Sequence, residues 1–135
     1  MSLTEIVRSE LQPFADRIVV GGINVSLSPK HAQNFSLALH ELATNATKYG
    51  ALSNGSGKVE VSWALISQAK TNTLRFVWRE TGGPPVARPT RYGFGTTLLK
   101  ATFPGARIDY ATEGLCCEID IALDSGDQPD QPGAT

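Results

Sequence analysis

The segment between Ser28 and Gly50 predicts one long amphipathic helix, and its polar side limits what this chain can fold into. Ser28 is a favoured helix cap and Gly50 a favoured helix terminator. At about 100° per residue, Asn45 lies roughly 40° and Lys48 roughly 20° from Glu41 around the helix axis. An acid, an amide and a cation therefore share one stripe. The opposite side is apolar, with Phe35, Leu39, Leu42, Ala43 and Ala46.

Apolar and polar residues alternate with period two over most of the second half of the chain. This alternation predicts antiparallel strands that each bury one face. Its apolar positions are Val59, Val61, Trp63, Leu65, Leu74, Phe76, Trp78, Ile108, Tyr110, Leu115, Cys117, Ile119, Ile121 and Leu123. Shorter strands are predicted at residues 17–20 and 23–27, and further helices at 3–11 and 95–103. One sheet with helices on a single face is a two-layer α/β sandwich, here with a mixed, mostly antiparallel sheet.

Size and composition are those of one globular domain, with 135 residues, 41% hydrophobic and 19% charged. A formal net charge of −1 gives no electrostatic basis for nucleic-acid binding. No apolar run reaches membrane-spanning length and no signal peptide opens the chain, so we expect a cytoplasmic segment without membrane contact. We interpret the adjacent Cys116 and Cys117 as one core thiol and one outward thiol.

The helix stripe lies within a longer motif. The motif reads Leu39-His40-Glu41-Leu42-Ala43-Thr44-Asn45-Ala46-Thr47-Lys48-Tyr49-Gly50 and continues with Ala51-Leu52-Ser53. It resembles the N box of the GHKL ATPase superfamily, in the form used by HWE-family sensor histidine kinases. That family is named for a His in this box and a later Trp-x-Glu, which His40 and Trp78-Arg79-Glu80 match. The resemblance covers nearly the whole chain and implies the Bergerat ATP-binding fold.

The resemblance also implies a site for ATP and Mg²⁺ on the helix stripe. Asn45 would supply an oxygen to Mg²⁺, and Lys48 would contact phosphate directly. Tyr49 would pack near the ribose or adenine. Glu41 would accept a proton from, or orient, the attacking imidazole of a phosphoacceptor histidine. For His40, an orienting role and a packing role stay equally open.

Glu80 stands in phase with the apolar positions of its strand, and a carboxylate on the core side of a strand requires a partner. The resemblance implies that this partner is the amino group of adenine, where guanine has a carbonyl. The alternative partners are Arg75, Arg79 and Arg91. The following Gly82 and Gly83 form a turn where a ligand can approach the backbone.

A second glycine box is predicted where Gly93, Gly95 and Thr96 precede a short helix. Backbone N–H groups at a helix N-terminus favour anions, so these residues are candidates for binding phosphate. Residues 84–92 would then form the ATP lid.

The resemblance implies the catalytic and ATP-binding domain of a two-component sensor histidine kinase, which transfers the γ-phosphoryl group of ATP to a histidine. The only histidines are His31 and His40, and neither lies in the two-helix hairpin that carries the acceptor in these kinases. We therefore expect a separate phosphoacceptor and dimerisation domain as partner and, through it, a response regulator. Residues 1–12 would be a remnant of the helix leading from that domain, 13–123 the ATP-binding domain and 124–135 a disordered tail.

Three other interpretations stay open. The first is a standalone GHKL serine kinase of the anti-sigma-factor type, against which Trp78-Arg79-Glu80 argues. The second is a degenerate phosphotransfer adaptor that does not bind ATP, against which the intact Glu41 and Asn45 argue. The third is a protein-interaction module without catalytic chemistry. A nucleotide-induced rise in melting temperature separates the nucleotide binders from the last two.

Overall fold

The computed structural model describes residues 1–68, 71–84, 99–111, 113–124 and 126–129. Two helices, α1 and α2, span Leu3–Glu10 and Pro29–Tyr49, and a 3₁₀ segment spans Gln12–Arg17. Residues 99–102 are also helical. The strands are β1 (Ile18–Gly22), β2 (Val25–Ser26), β3 (Lys58–Gln68), β4 (Thr71–Thr81), β5 (Arg107–Ala111), β6 (Gly114–Ala122) and β7 (Gln128–Pro129).

Five of these strands form one mixed sheet in the order β1-β3-β4-β6-β5. β1 runs parallel to β3, and the three other neighbouring pairs are antiparallel. The predicted α/β fold with a mixed, mostly antiparallel sheet is therefore confirmed. The strand predicted at 17–20 exists as β1, which extends to Gly22, and the one predicted at 23–27 is shortened to the two residues of β2. β2 pairs with β7 in a separate two-stranded sheet.

The helices and the sheet share one hydrophobic core. The apolar side of α2 is buried as predicted, and Phe35 lies at its centre, fully inaccessible to solvent. Its ring centroid is 5.3 Å from that of Phe76 in β4 and 5.2 Å from that of Phe103. Because α2 packs on the sheet through this side, its polar stripe is left free to face away from the core.

α1 belongs to this core through its apolar side. Leu3 and Val7 are fully buried and Ile6 is 3% exposed. The hydroxyl of Ser36 in α2 donates a hydrogen bond of 2.5 Å to Oε1 of Glu10 at the end of α1. Periodicity alone predicted the helix but not the surface on which it packs.

The described part of the tail that we expected at 124–135 contacts the rest of the chain. Gln128–Pro129 pairs with β2, and Asp127 is only 6% exposed. The Asp127 carboxylate accepts hydrogen bonds from the N–H groups of Ser28 at 2.8 Å and Asp124 at 3.0 Å. Asp127 therefore caps the start of α2, a contact that the polar composition of this segment did not indicate. Residues 130–135 lie outside the described residues.

The face of the sheet that points away from the helices is polar. Arg75 in β4 donates two hydrogen bonds, of 2.9 and 3.1 Å, to Asp120 in β6. Cys117 is buried in the core and Cys116 is half-buried, as predicted for adjacent strand residues. Burial raises the pKa of the Cys117 thiol to about 12. Among the described helices, none has the length and apolar character needed to cross a bilayer.

Candidate nucleotide site

The polar stripe of α2 is accessible along its length. Glu41 and Asn45 are half-buried, and Lys48 is exposed. Tyr49, the last residue of the helix, is 74% exposed. Within the described parts of the chain, no hydrogen bond or ion pair engages the side chains of Glu41, Asn45 or Lys48. Their polar groups are therefore free of competing partners there, which suits them to a ligand.

An open groove of about 360 Å³ borders this stripe on the side of α1. It is lined by Glu10, Pro13, Phe14, His40, Ala43, Thr44, Thr47 and Lys48. The His40 side chain is 67% exposed, and its Nδ1 lies 4.0 Å from Oε2 of Glu10. This exposure argues against a packing role for His40 in the core.

Glu80 lies on the core side of β4, in phase with the fully buried Phe76 and Trp78, and is itself only 4% exposed. Its Oε1 accepts a hydrogen bond from the N–H of Ala51 at 2.9 Å, and its Oε2 accepts one from the indole Nε1 of Trp78 at 2.9 Å. Burial raises the pKa of this carboxyl, and the two hydrogen bonds act in the opposite direction.

The alternative salt bridge of Glu80 with an arginine is not seen among the described residues. Arg75 pairs instead with Asp120 and Glu118 on the open face, and Arg79 is exposed. Arg91 lies outside the described residues. Trp78 and Glu80, two residues apart and on the same side of the strand, therefore satisfy each other's buried polar groups.

The glycines that follow β4 are required for different reasons. Gly82 has φ +74, a left-handed conformation that side chains disfavour. A Cβ on Gly83 would lie 2.6 Å from the Cα of Ala51, so this backbone passes directly over the residue that follows α2. The second glycine box, with Gly93, Gly95 and Thr96, lies outside the described residues, as does most of the predicted lid.

The sequence analysis did not identify Arg17, which the structure brings to the same region. Its Nη2 donates to the carbonyl of Ala51 at 2.9 Å, and its Nε donates to the carbonyl of Gly57 at 2.9 Å. Arg17 belongs to no motif and ends the 3₁₀ segment before β1. Nothing in its sequence context distinguishes it from a solvated arginine, so only the fold could reveal these contacts.

A second cluster has the composition of a metal site. His31, Asp124 and Asp127 place possible ligand atoms within 4.8 Å of one another. However, Asp127 already accepts hydrogen bonds from Ser28 and Asp124, and Oδ2 lies 2.7 Å from Nδ1 of His31. The N–H of Gly126 likewise donates to Asp124 at 2.9 Å. The cluster is a helix cap satisfied by the chain itself, and we assign it no metal.

The chain has sequence relatives among known proteins. No protein-family model matches the chain. It is 38% identical over 127 residues to a blue-light-activated histidine kinase of Brucella anthropi, covering 87% of this chain and 26% of that protein. The protein of the same name from Brucella ovis is 34% identical with the same coverage. The chain therefore spans about a quarter of the length of these curated relatives.

Solved structures share the fold. The blue-light activated histidine kinase EL346 of Erythrobacter litoralis superposes with a TM-score of 0.68 at 19% identity, over 90% of this chain and 40% of that one. The catalytic domain of histidine kinase ThkA superposes with a TM-score of 0.59 at 15% identity, over 91% of this chain and 94% of that one. These likenesses show that the chain shares its fold with histidine kinase catalytic domains. By sequence, the chain is similar to part of these blue-light-activated histidine kinases over 87% of its own length.

Proposed function

We propose that this chain is the ATP-binding catalytic domain of a two-component sensor histidine kinase of the HWE type. It binds Mg²⁺–ATP and transfers the γ-phosphoryl group to a histidine on a separate phosphoacceptor domain. One observation carries the proposal. The hydrogen bond between Ala51 and Glu80 joins the residue that follows α2 to the end of β4, which supports one shared site for the acid–amide–cation stripe and the Trp-x-Glu turn.

The donor set suits a metal-bound nucleotide. An amide oxygen beside a cation and a carboxylate, on an accessible helix face, offers a hard ligand for Mg²⁺ and a charge for phosphate. Asn45 would hold Mg²⁺, which would supply neutralisation of phosphate charge. Lys48 binds phosphate oxygens, and the exposed Tyr49 packs near the ribose or adenine.

Two carboxylates contact the two reactants: Glu80 binds the adenine base, and Glu41 contacts the phosphoacceptor histidine. Glu80 accepts a hydrogen bond from the adenine amino group, because each carboxylate oxygen has a second lone pair beyond the one used by Ala51 or Trp78. Glu41 orients the acceptor imidazole or takes its proton. His40 lines the groove beside Glu41 and orients the incoming acceptor, and the remaining catalysis is positioning and charge stabilisation.

The partners follow from this chemistry. They are a phosphoacceptor and dimerisation domain, on the same or another chain, and a response regulator in the bacterial cytoplasm. Support comes from a solved complex of histidine kinase ThkA with the response regulator TrrA, whose kinase shares the fold with a TM-score of 0.57 at 15% identity.

Isothermal titration calorimetry with Mg²⁺–ATP tests the proposal. We expect the wild-type chain to bind and Asn45→Ala to lose at least tenfold in affinity, because a metal ligand is removed. Asn72→Ala, an exposed asparagine on β4, is the matched control and should bind as wild type does. Wild-type affinity in a folded Asn45→Ala protein would contradict the assignment. A wild-type chain that binds no ATP would favour the degenerate adaptor instead.

A further inference from the structure

Ala51 is held through both of its backbone polar groups by side chains of opposite charge. Its N–H donates to Oε1 of Glu80 at 2.9 Å, and its carbonyl accepts from Nη2 of Arg17 at 2.9 Å. We call this arrangement, Arg17–Ala51–Glu80, the Ala51 bridge. Arg17 and Glu80 are separated by more than sixty positions in the sequence, so the bridge exists only in the folded chain.

The surroundings of Ala51 leave it no room to shift. Ala51 is 2% exposed, and a Cβ on Gly83 would stand 2.6 Å from its Cα. A Cβ on Gly57 would collide with its carbonyl oxygen, and one on Gly50 would collide with Oε1 of Glu80. Three glycines therefore allow three backbone segments and one carboxylate to meet at this residue.

Arg17 donates hydrogen bonds to two backbone carbonyls. The planar guanidinium donates from Nη2 to Ala51 and from Nε to Gly57, which closes the loop between α2 and β3 at both ends. A guanidinium presents donors in a fixed fork, whereas an ammonium is a point donor on a flexible stem. Arg17 therefore fixes a loop geometry that lysine cannot reproduce.

We propose that Arg17 is a positioning residue of the nucleotide site. This inference rests on the proposed function. Through the Ala51 bridge it fixes the last turn of α2, with Asn45 and Lys48, relative to the turn after β4. Those two segments hold opposite ends of one nucleotide, so a change in their separation weakens binding without any lost contact to the ligand.

The test compares Mg²⁺–ATP affinities by calorimetry at a temperature where circular dichroism shows every variant fully folded. We expect Arg17→Ala to bind about tenfold more weakly, a loss of the size that a disrupted hydrogen-bond unit produces. Arg17→Lys should recover only part of this loss. Arg8→Ala removes the same charge from an exposed position on α1 and should remain within about twofold of wild type.

Two further readouts separate positioning from general stability. The first is a double-mutant cycle with Glu80→Gln. If the two residues act through the bridge, Arg17→Ala should reduce ATP affinity much less in the Glu80→Gln background than in the wild type. If they act independently, the two losses of binding free energy should add. In addition, the amide resonance of Ala51 in a ¹⁵N–¹H spectrum should move in Arg17→Ala and in Glu80→Gln but not in Arg8→Ala.

The outcomes distinguish this inference from the proposed function. A wild-type chain that binds no ATP overturns the proposed function and, with it, this role. Wild-type binding with unchanged affinity in Arg17→Ala overturns the positioning role alone, as does full additivity in the cycle. If Arg17→Ala does not fold, Arg17→Lys carries the test, and wild-type affinity in that variant overturns the inference.

Discussion

At the scale of single residues, the Glu80 carboxylate has a structural role that the structure shows and a ligand-binding role that we propose. It is almost inaccessible to solvent, yet two N–H donors of the chain are directed at it. Their two bonds leave lone pairs on both oxygens, and a buried acceptor selects strongly for a ligand that offers a donor. Selectivity for the base is therefore the property that Glu80 should control.

We predict that the chain binds ATP and ADP at least tenfold more tightly than GTP. Guanine presents a carbonyl where adenine has its amino group, and an unpaired buried group costs about 1–3 kcal/mol. Competition binding with the three nucleotides measures the ratio, with Glu80→Ala as the test variant and the exposed Glu60→Ala as control. Equal affinities for ATP and GTP would contradict the prediction. An unaltered ratio of ATP to GTP affinity in Glu80→Ala would show that another group recognises the base.

The same residue predicts a pH dependence of stability. Burial raises the folded-state pKa of Glu80 above its ordinary value of 4.5. Its contribution to stability is therefore fully present below pH 4.5 and is lost as pH rises through the folded pKa. Urea unfolding across this range should show the wild type losing stability relative to Glu80→Gln as pH rises. A difference that is constant with pH would mean that Glu80 has the same pKa in both states.

At the scale of elements, the sequence predicted local structure well and long-range contacts poorly. The bounds and buried side of α2 followed from capping residues and helical periodicity, and the long strands from alternation. The cap formed by Asp127 and the contacts of Arg17 could not be inferred. Both depend on hydrogen bonds between segments far apart in the chain, which leave no periodic signal in either segment.

The cap on α2 leads to a prediction with the opposite pH sign. Burial of Asp127 acts to raise its pKa, but hydrogen bonds from Asp124, Ser28 and His31 outweigh it and the pKa is lowered from 3.8. The stabilisation is therefore present above pH 3.8 and lost as pH falls through the lower folded pKa.

Asp127→Asn should cost about 1 kcal/mol of unfolding free energy at pH 7, because a charge-assisted helix cap becomes neutral. The cost should disappear on acidification. Urea unfolding at several pH values measures it, with Asp109→Asn, exposed on β5, as the matched control. An equal cost at pH 3 and pH 7 would indicate lost packing rather than lost charge.

At the scale of the whole molecule, the sheet order brings the site together. β4 is central, between β3 and β6, and its end reaches the residue that follows α2. The set of residues that would share a site stays a prediction, which came from the resemblance of the motifs. The parallel pairing of β1 with β3 and the separate β2–β7 sheet were not predictable, since strand patterns do not specify neighbours.

Glu41 and Lys48 should affect different steps, namely phosphotransfer and ATP binding. In the proposed mechanism Glu41 acts on the acceptor imidazole. Glu41→Gln should then leave ATP affinity within a few-fold but slow phosphotransfer to a separately supplied acceptor domain by roughly 10²-fold. In the same mechanism Lys48 contacts phosphate in the ground state and the transition state alike, so Lys48→Ala should weaken ATP binding itself. Calorimetry and transfer of labelled phosphate measure the two effects, with exposed Lys58→Ala as control for Lys48.

The chain alone should incorporate no stable acid-labile phosphate from labelled ATP. Nδ1 of His31 lies 2.7 Å from the buried Asp127, in the cap at the opposite end of α2 from Lys48. His40 precedes Glu41 on the same helix, so its imidazole cannot approach that helix's own site as an incoming acceptor does. Robust self-labelling on either histidine would refute the need for a separate acceptor. A Glu41→Gln variant that transfers phosphate as fast as wild type would assign proton removal to another group.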